Sequence, residues 1–130
     1  MAEYTAPPVG HIGWIDLAVP DAVAVRDFYK DVTGWTSSGL DMGGYEDFNM
    51  TPPGSDAPVA GVCHARGSNA DMPPVWMIYI MVANVDESIR RCVERGGKVR
   101  KPAANMGGMG RYCVIEDPAG AVAALFEAPK

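Results

Sequence analysis

The chain has 130 residues, 48% of them hydrophobic and 21% charged, with a formal net charge of −5. That length suits one compact domain with enough apolar side chains for a real core. No stretch approaches the roughly 18 uninterrupted apolar residues of a membrane-spanning helix, and a pI near 4.8 argues against binding nucleic acid by phosphate neutralisation.

Residues 1–8 have no basic start and no apolar run, so no export signal is expected. A reducing, cytoplasmic setting follows, with Cys63, Cys92 and Cys113 as free thiols: their number is odd and no C-x-x-C pair occurs.

Residues 11–19 alternate. Ile15, Leu17 and Val19 form an apolar side and predict a strand facing a helix, while Trp14 and Asp16 point the other way. Pro20 stops the strand and Asp21 can cap a helix to about Val32, striped by Val25, Phe28, Tyr29 and Val32 and ended at Gly34. Strand signals follow near residues 35–37, 45–50 and 59–64, the last two separated by a Pro/Gly-rich turn at 51–58. A polar linker covers 65–74.

The same order then recurs. Residues 75–82 read as a strand with Trp76, Ile78, Ile80 and Val82 on one side and Met77, Tyr79 and Met81 on the other. Asn84 or Asp86 can start a helix striped by Val85, Ile89, Cys92 and Val93, closed by Gly96 and Gly97. Strands follow near 98–100, 111–115 and 122–127. Between the last two, Pro118 presets φ and Gly120 supplies the left-handed position of a tight turn. One spacing of 63 residues carries Trp14 onto Met77, Val19 onto Val82, Asp21 onto Asn84 and Gly34 onto Gly97. Identity is low, so the repeat is structural. The predicted fold class is α+β, with two tandem β-α-β-β-β modules at about 9–64 and 75–127. A ferredoxin-like sandwich is the rival.

Several residues could carry chemistry. Trp14, Met77, Tyr79, Met81 and Phe126 share the parity that turns away from the helices, a soft aromatic wall that would either fill a core or line a small-molecule pocket. Asp16 lies on Trp14's side. It would pair with an arginine such as Arg111, sit in solvent, or serve as a polar anchor or base. Tyr79 is the other polar handle. His11 reads as a solvent-facing strand start, and His64 points away from Cys63, so the two make no ready dyad. The glycine-rich run 105–110 leads into a strand and lacks the Gly-Lys-Ser/Thr of a phosphate loop, leaving a flap at a cavity mouth as its role. Arg90, Arg91, Arg95, Lys98, Arg100 and Lys101 read as a solvated face complementing a helix dipole.

The run from Trp14 to Asp21, the helix ending at Phe28, Tyr29, Gly34 and Trp35, the Gly96-Gly97 and Gly110-Arg111 pairs, and Glu116 to Ala121 with Phe126 together resemble the vicinal oxygen chelate superfamily. That group includes glyoxalase I, extradiol dioxygenases and bleomycin-resistance proteins. The resemblance implies modules whose curved sheets enclose a cavity, often in a homodimer, and metal ligands on the first and last strand of each module. Those ligand positions hold Trp14, Gly61, Met77 and Ala124 here. Fe, Ni, Zn and Mn want imidazole nitrogen or carboxylate oxygen, so no metal cofactor is expected. A relocated site would have to draw on His11, His64, Asp16 and Glu127. The expected function is metal-free binding of a small apolar or aromatic ligand between the modules, with Trp14, Asp16, Met77, Tyr79, Met81, Phe126 and Arg111 as its contacts. The alternative is a lyase, isomerase or dioxygenase, either metal-dependent or using Asp16 and Tyr79 for proton transfer.

Overall fold

The computed structural model describes residues 6–129. Residues 1–5, on which much of the no-export-signal expectation rests, lie outside the described residues. Among those described, no helix is long and apolar enough to cross a membrane.

Two compact units divide the chain: Ile15–Trp76 forms one, and Met77 onward joins with residues up to Trp14 to form the other. The element order is β1 (Ile12–Val19), α1 (Ala22–Thr33), β2 (Thr36–Asp41), β3 (Glu46–Thr51) and β4 (Ala60–His64), then β5 (Met77–Met81), α2 (Val85–Glu94), β6 (Lys98–Asn105), β7 (Arg111–Glu116) and β8 (Val122–Glu127). This is the α+β, twice-repeated β-α-β-β-β pattern. The division falls inside β1, after Trp14, because the chain before it is tied to β5. Gly10 N–H donates to the Met81 carbonyl, and Met81 N–H to that of His11, both at 2.8 Å.

In the first module β1 runs parallel to β4, and β3 runs antiparallel to β4 and to β2. In the second, β5 runs parallel to β8, with β7 antiparallel to β8 and to β6. The registers repeat as well. Asp16 pairs with Gly61 in one module and Tyr79 with Ala124 in the other, each 63 residues on. Pairing distance thus confirms a repeat that identity barely shows.

Helix α1 begins where Asp21 Oδ1 accepts from Ala24 N–H at 3.0 Å, a cap of about 1 kcal/mol. It ends at Gly34, whose φ of +81° lets its N–H return to the Lys30 carbonyl. Ala22, Val25 and Tyr29 lie on one face and pack on Leu17, Val19, Phe48, Met50 and Val62. Phe28 and Val32, expected in that stripe, stand one step further round and are 57% and 62% exposed. Trp35 and Trp76 close the cluster's edge, and Trp76 Nε1 donates to the Tyr29 hydroxyl at 3.1 Å.

Helix α2 is capped by Asn84, which accepts from Glu87 N–H at 2.9 Å. Val85 and Ile89 pack on Ile80, Val82, Cys113, Ile115 and Leu125, whereas Val93 is exposed. The basic run resolves into surface pairs: Arg90 with Glu87 and Glu94, Arg91 with Glu87, and Arg100 with Glu116.

Candidate functional site

Because side chains alternate along a strand, a face that packs on a helix fixes the other face. In the first module the reverse of the α1-packed face carries Asp16, Asp47, Gly61 and Cys63. Asp47 is 4% exposed and its Oδ1 accepts from His64 N–H at 2.8 Å. The Cys63 thiol also bonds the Asp47 side chain. Burial, together with the charges of Asp16 and Asp47, pushes that thiol far above its ordinary value, so it stays protonated. His64 points the other way, towards the rings of Tyr45 and Phe48, as its parity requires.

In the second module the face turned from α2 carries Met77, Tyr79, Met81, Ala124 and Phe126. Met77 and Met81 are buried, Tyr79 and Phe126 half-buried. Phe126 stands directly beside Met81, and Ala124 beside Tyr79. Tyr112 joins them from β7, with the Lys101 ammonium 4.9 Å above its ring. Trp14, in the same unit, is half-buried.

Arg111 belongs elsewhere. It pairs with Glu127 across β7 and β8 and shares the face of Cys113 and Leu125, which is the α2 side. Its Nη1 and Nη2 donate to Asp86 at 2.8 and 3.2 Å. Its grouping with Tyr79 and Phe126 is therefore corrected by strand parity, and its ion-pair partner is Asp86 of α2. That hydrogen bond holds the Asp86 carboxyl below its usual range and raises Arg111. Glu127 Oε1 accepts from Val85 N–H at 2.8 Å, satisfying a donor at the start of α2. A cleft of about 410 Å³ opens beside these two residues, walled by the glycine-rich loop.

Asp47 and Cys63 are the functional candidates that sequence reasoning missed. The signal was there: Asp47 is out of phase with Phe48 and Met50 in an alternating strand, so it had to lie on Asp16's face.

Whether a divalent metal fits is decided by the donor atoms at the repeated register. The repeated register fixes Gly61 and Ala124 as equivalent positions beside Asp16 and Tyr79, with Trp14 and Met77 two residues before. An indole, a thioether, a methyl group and a hydrogen supply no ligand that Fe, Ni, Zn or Mn favours, so these residues do not fit the group. Among the described residues no three His, Cys, Asp or Glu side chains gather closely enough to hold an ion, and His11, His64, Asp16 and Glu127 form no such group.

A model of the Glyoxalase/Bleomycin resistance protein/Dioxygenase superfamily matches residues 11–125. The protein named "Putative glyoxylase CFP32" in Mycobacterium tuberculosis is 34% identical over 120 residues, 92% of this chain and 46% of that protein. "Anthracycline biosynthesis protein DnrV" of Streptomyces peucetius is 30% identical over 128 residues, 90% of this chain and 46% of its own length. The chain spans about half the length of these curated relatives. Among solved structures, methylmalonyl-CoA epimerase from M. tuberculosis superposes with a TM-score of 0.57 at 19% identity, over 100% of this chain and 94% of that one. The Mn(II)-bound glyoxalase from Novosphingobium aromaticivorans gives 0.56 at 21%, over 94% and 42%. At these identities the likeness is one of fold.

Proposed function

The chain belongs to the glyoxalase/bleomycin resistance protein/dioxygenase superfamily, and from that premise we propose that it binds a small apolar or aromatic molecule without a metal. One observation carries the reading. The helix-averted face of the second module is built from Met77, Tyr79, Met81 and Phe126, and the positions that the family resemblance implies for metal ligands hold Trp14, Gly61, Met77 and Ala124. Thioethers and aromatic rings make a polarisable surface that suits a flat, apolar ligand. Tyr79, on the same face, supplies a polar contact that orients it. The relative named for anthracycline biosynthesis supports starting with polycyclic aromatics.

A second reading has its own observation. Asp16 and Tyr79 occupy equivalent registers in the two modules, beside Gly61 and Ala124. Either group, the carboxylate as a base in its own module or the phenol as an acid in its own, would serve proton transfer in a metal-free lyase or isomerase.

Calorimetric titration with an anthracycline tests the binding reading. Saturable binding, weakened at least tenfold by Phe126→Ala and by Met81→Ala, is expected. No saturation, or affinity indifferent to both changes, overturns it. Elemental analysis after incubation with Fe²⁺, Ni²⁺, Mn²⁺ and Zn²⁺ tests the metal-free part separately. Near-stoichiometric metal that persists through dialysis overturns that part.

A further inference from the structure

Arg111 and Glu127, which line the cleft, share the α2 side of their sheet, and the proposed binding face includes neither of them. The cleft has a volume of about 410 Å³, room for a small metabolite. One wall is backbone: Gly107 and Gly108 would each carry a Cβ into open space. The loop is nonetheless held. Met106 N–H bonds the Gly110 carbonyl at 2.8 Å, and Gly110 sits at φ +121° with its would-be Cβ 2.3 Å from the Glu127 carbonyl oxygen. Only glycine permits that approach, so the loop is clamped to the end of β8.

The charges are mixed and adjacent. Arg111 and Glu127 are direct cross-strand neighbours, and both line the cleft with Asn105. Glu127 is 8% exposed and anchored at one oxygen by Val85 N–H, so its position is fixed. The guanidinium carries five N–H donors, more than its Asp86 partner can accept. A lone anion entering here meets Glu127 and Asp86, and a lone cation meets Arg111. A dipolar ion offers its carboxylate to the remaining guanidinium donors and its ammonium to Glu127, a pairing that neither lone ion completes. Ala128 and Pro129 add apolar lining for a side chain. We propose that this cleft is a separate binding site for a free α-amino acid, read through its zwitterionic group by Arg111 and Glu127.

The test uses three probes of one shape: L-leucine, isopentylamine, which lacks the carboxylate, and 4-methylpentanoate, which lacks the amine. Amide ¹⁵N–¹H signals of Gly107, Gly108 and Gly110 report on the cleft, and the Trp14 indole reports on the other face. Leucine should shift the glycine signals saturably, at least tenfold more tightly than either analogue, and leave Trp14 unmoved. Arg111→Gln should weaken it at least tenfold. Glu127→Gln should do the same while keeping an acceptor for Val85 N–H, which separates charge recognition from loss of the helix start. No saturable shift, an analogue that binds as tightly, or a shift seen at Trp14 alone overturns the proposal.

Discussion

The first module sets Asp16 beside Gly61, and the second sets Tyr79 beside Ala124 in the same register. From there the two diverge. The first module's helix-averted face carries two carboxylates and a thiol, whereas the second's carries thioethers and rings. The α1 core also goes deeper than its counterpart. Met50 of β3 pairs with Ala60 and is fully buried, while its equivalent Ile115 of β7 pairs with Ala123 and is half-buried. A repeat therefore conserves backbone pairing while leaving each face free to specialise, because hydrogen bonds between strands do not depend on side-chain identity.

The depth difference gives the largest expected effect. Met50→Ala removes a side chain with nowhere to relax and should cost about 2–5 kcal/mol in urea unfolding. Ile115→Ala, at a site only partly closed to solvent, should cost less, below about 2 kcal/mol. Equal losses would break the comparison and place the two cores on a par.

The polar face is the next test. Asp47 accepts from His64 N–H and from the Cys63 thiol, and Asp47→Ala leaves both half-buried donors unpaired, a loss of about 1–2 kcal/mol. Asp47→Asn keeps an acceptor and should recover much of it. The equivalent position in the second module is Tyr112, half-buried beneath Lys101. Tyr112→Phe keeps the ring and should move stability by no more than about 0.5 kcal/mol. Thermal melts of the three variants rank them directly. If Asp47→Ala melts like Tyr112→Phe, the carboxylate is not holding the face together.

How much of this was legible depends on where local chemistry decides. Asp21, Asn84, Gly34 and the turn of Asp117 to Gly120 act within a few residues; the sequence predicted Asp21, Gly34 and the turn where they stand and offered Asn84 beside Asp86 as the second cap. The outer strands were underestimated. β2 (Thr36–Asp41) and β6 (Lys98–Asn105) each pair with a single neighbour in their module, so their side chains need no strict alternation. β6 even holds Pro102 and shifts register twice, which an outer strand tolerates. Phe28 and Val32 misled because an apolar stripe on a helix can be phased by one position without changing its spacing. Arg111 with Asp86 and Glu127 with Val85 join residues 25 and 42 apart, and such pairings follow from packing alone.

The thiols of Cys63, half-buried, and Cys113, buried, sharpen the comparison at the smallest scale. Burial alone dominates at Cys113 and lifts it from 9.0 to about 11. At Cys63 the neighbouring carboxylates add to burial and lift it further. The sign is that of a group holding its proton more tightly when folded. Its contribution to stability is complete below the unfolded value of 9.0 and is lost as pH rises through the folded one. Stability should therefore be flat through neutrality and decline above about pH 9. The ¹³Cβ shifts of the two cysteines, followed from pH 7 to 11.5, should show Cys113 ionising near 11 and Cys63 still protonated. Asp47→Asn should bring Cys63 down towards Cys113 and leave Cys113 where it was, because only the first module's thiol feels that charge. Two thiols that titrate together in the native protein would mean that the carboxylates of Asp16 and Asp47 are screened, and the contrast between the two faces would shrink to one of shape.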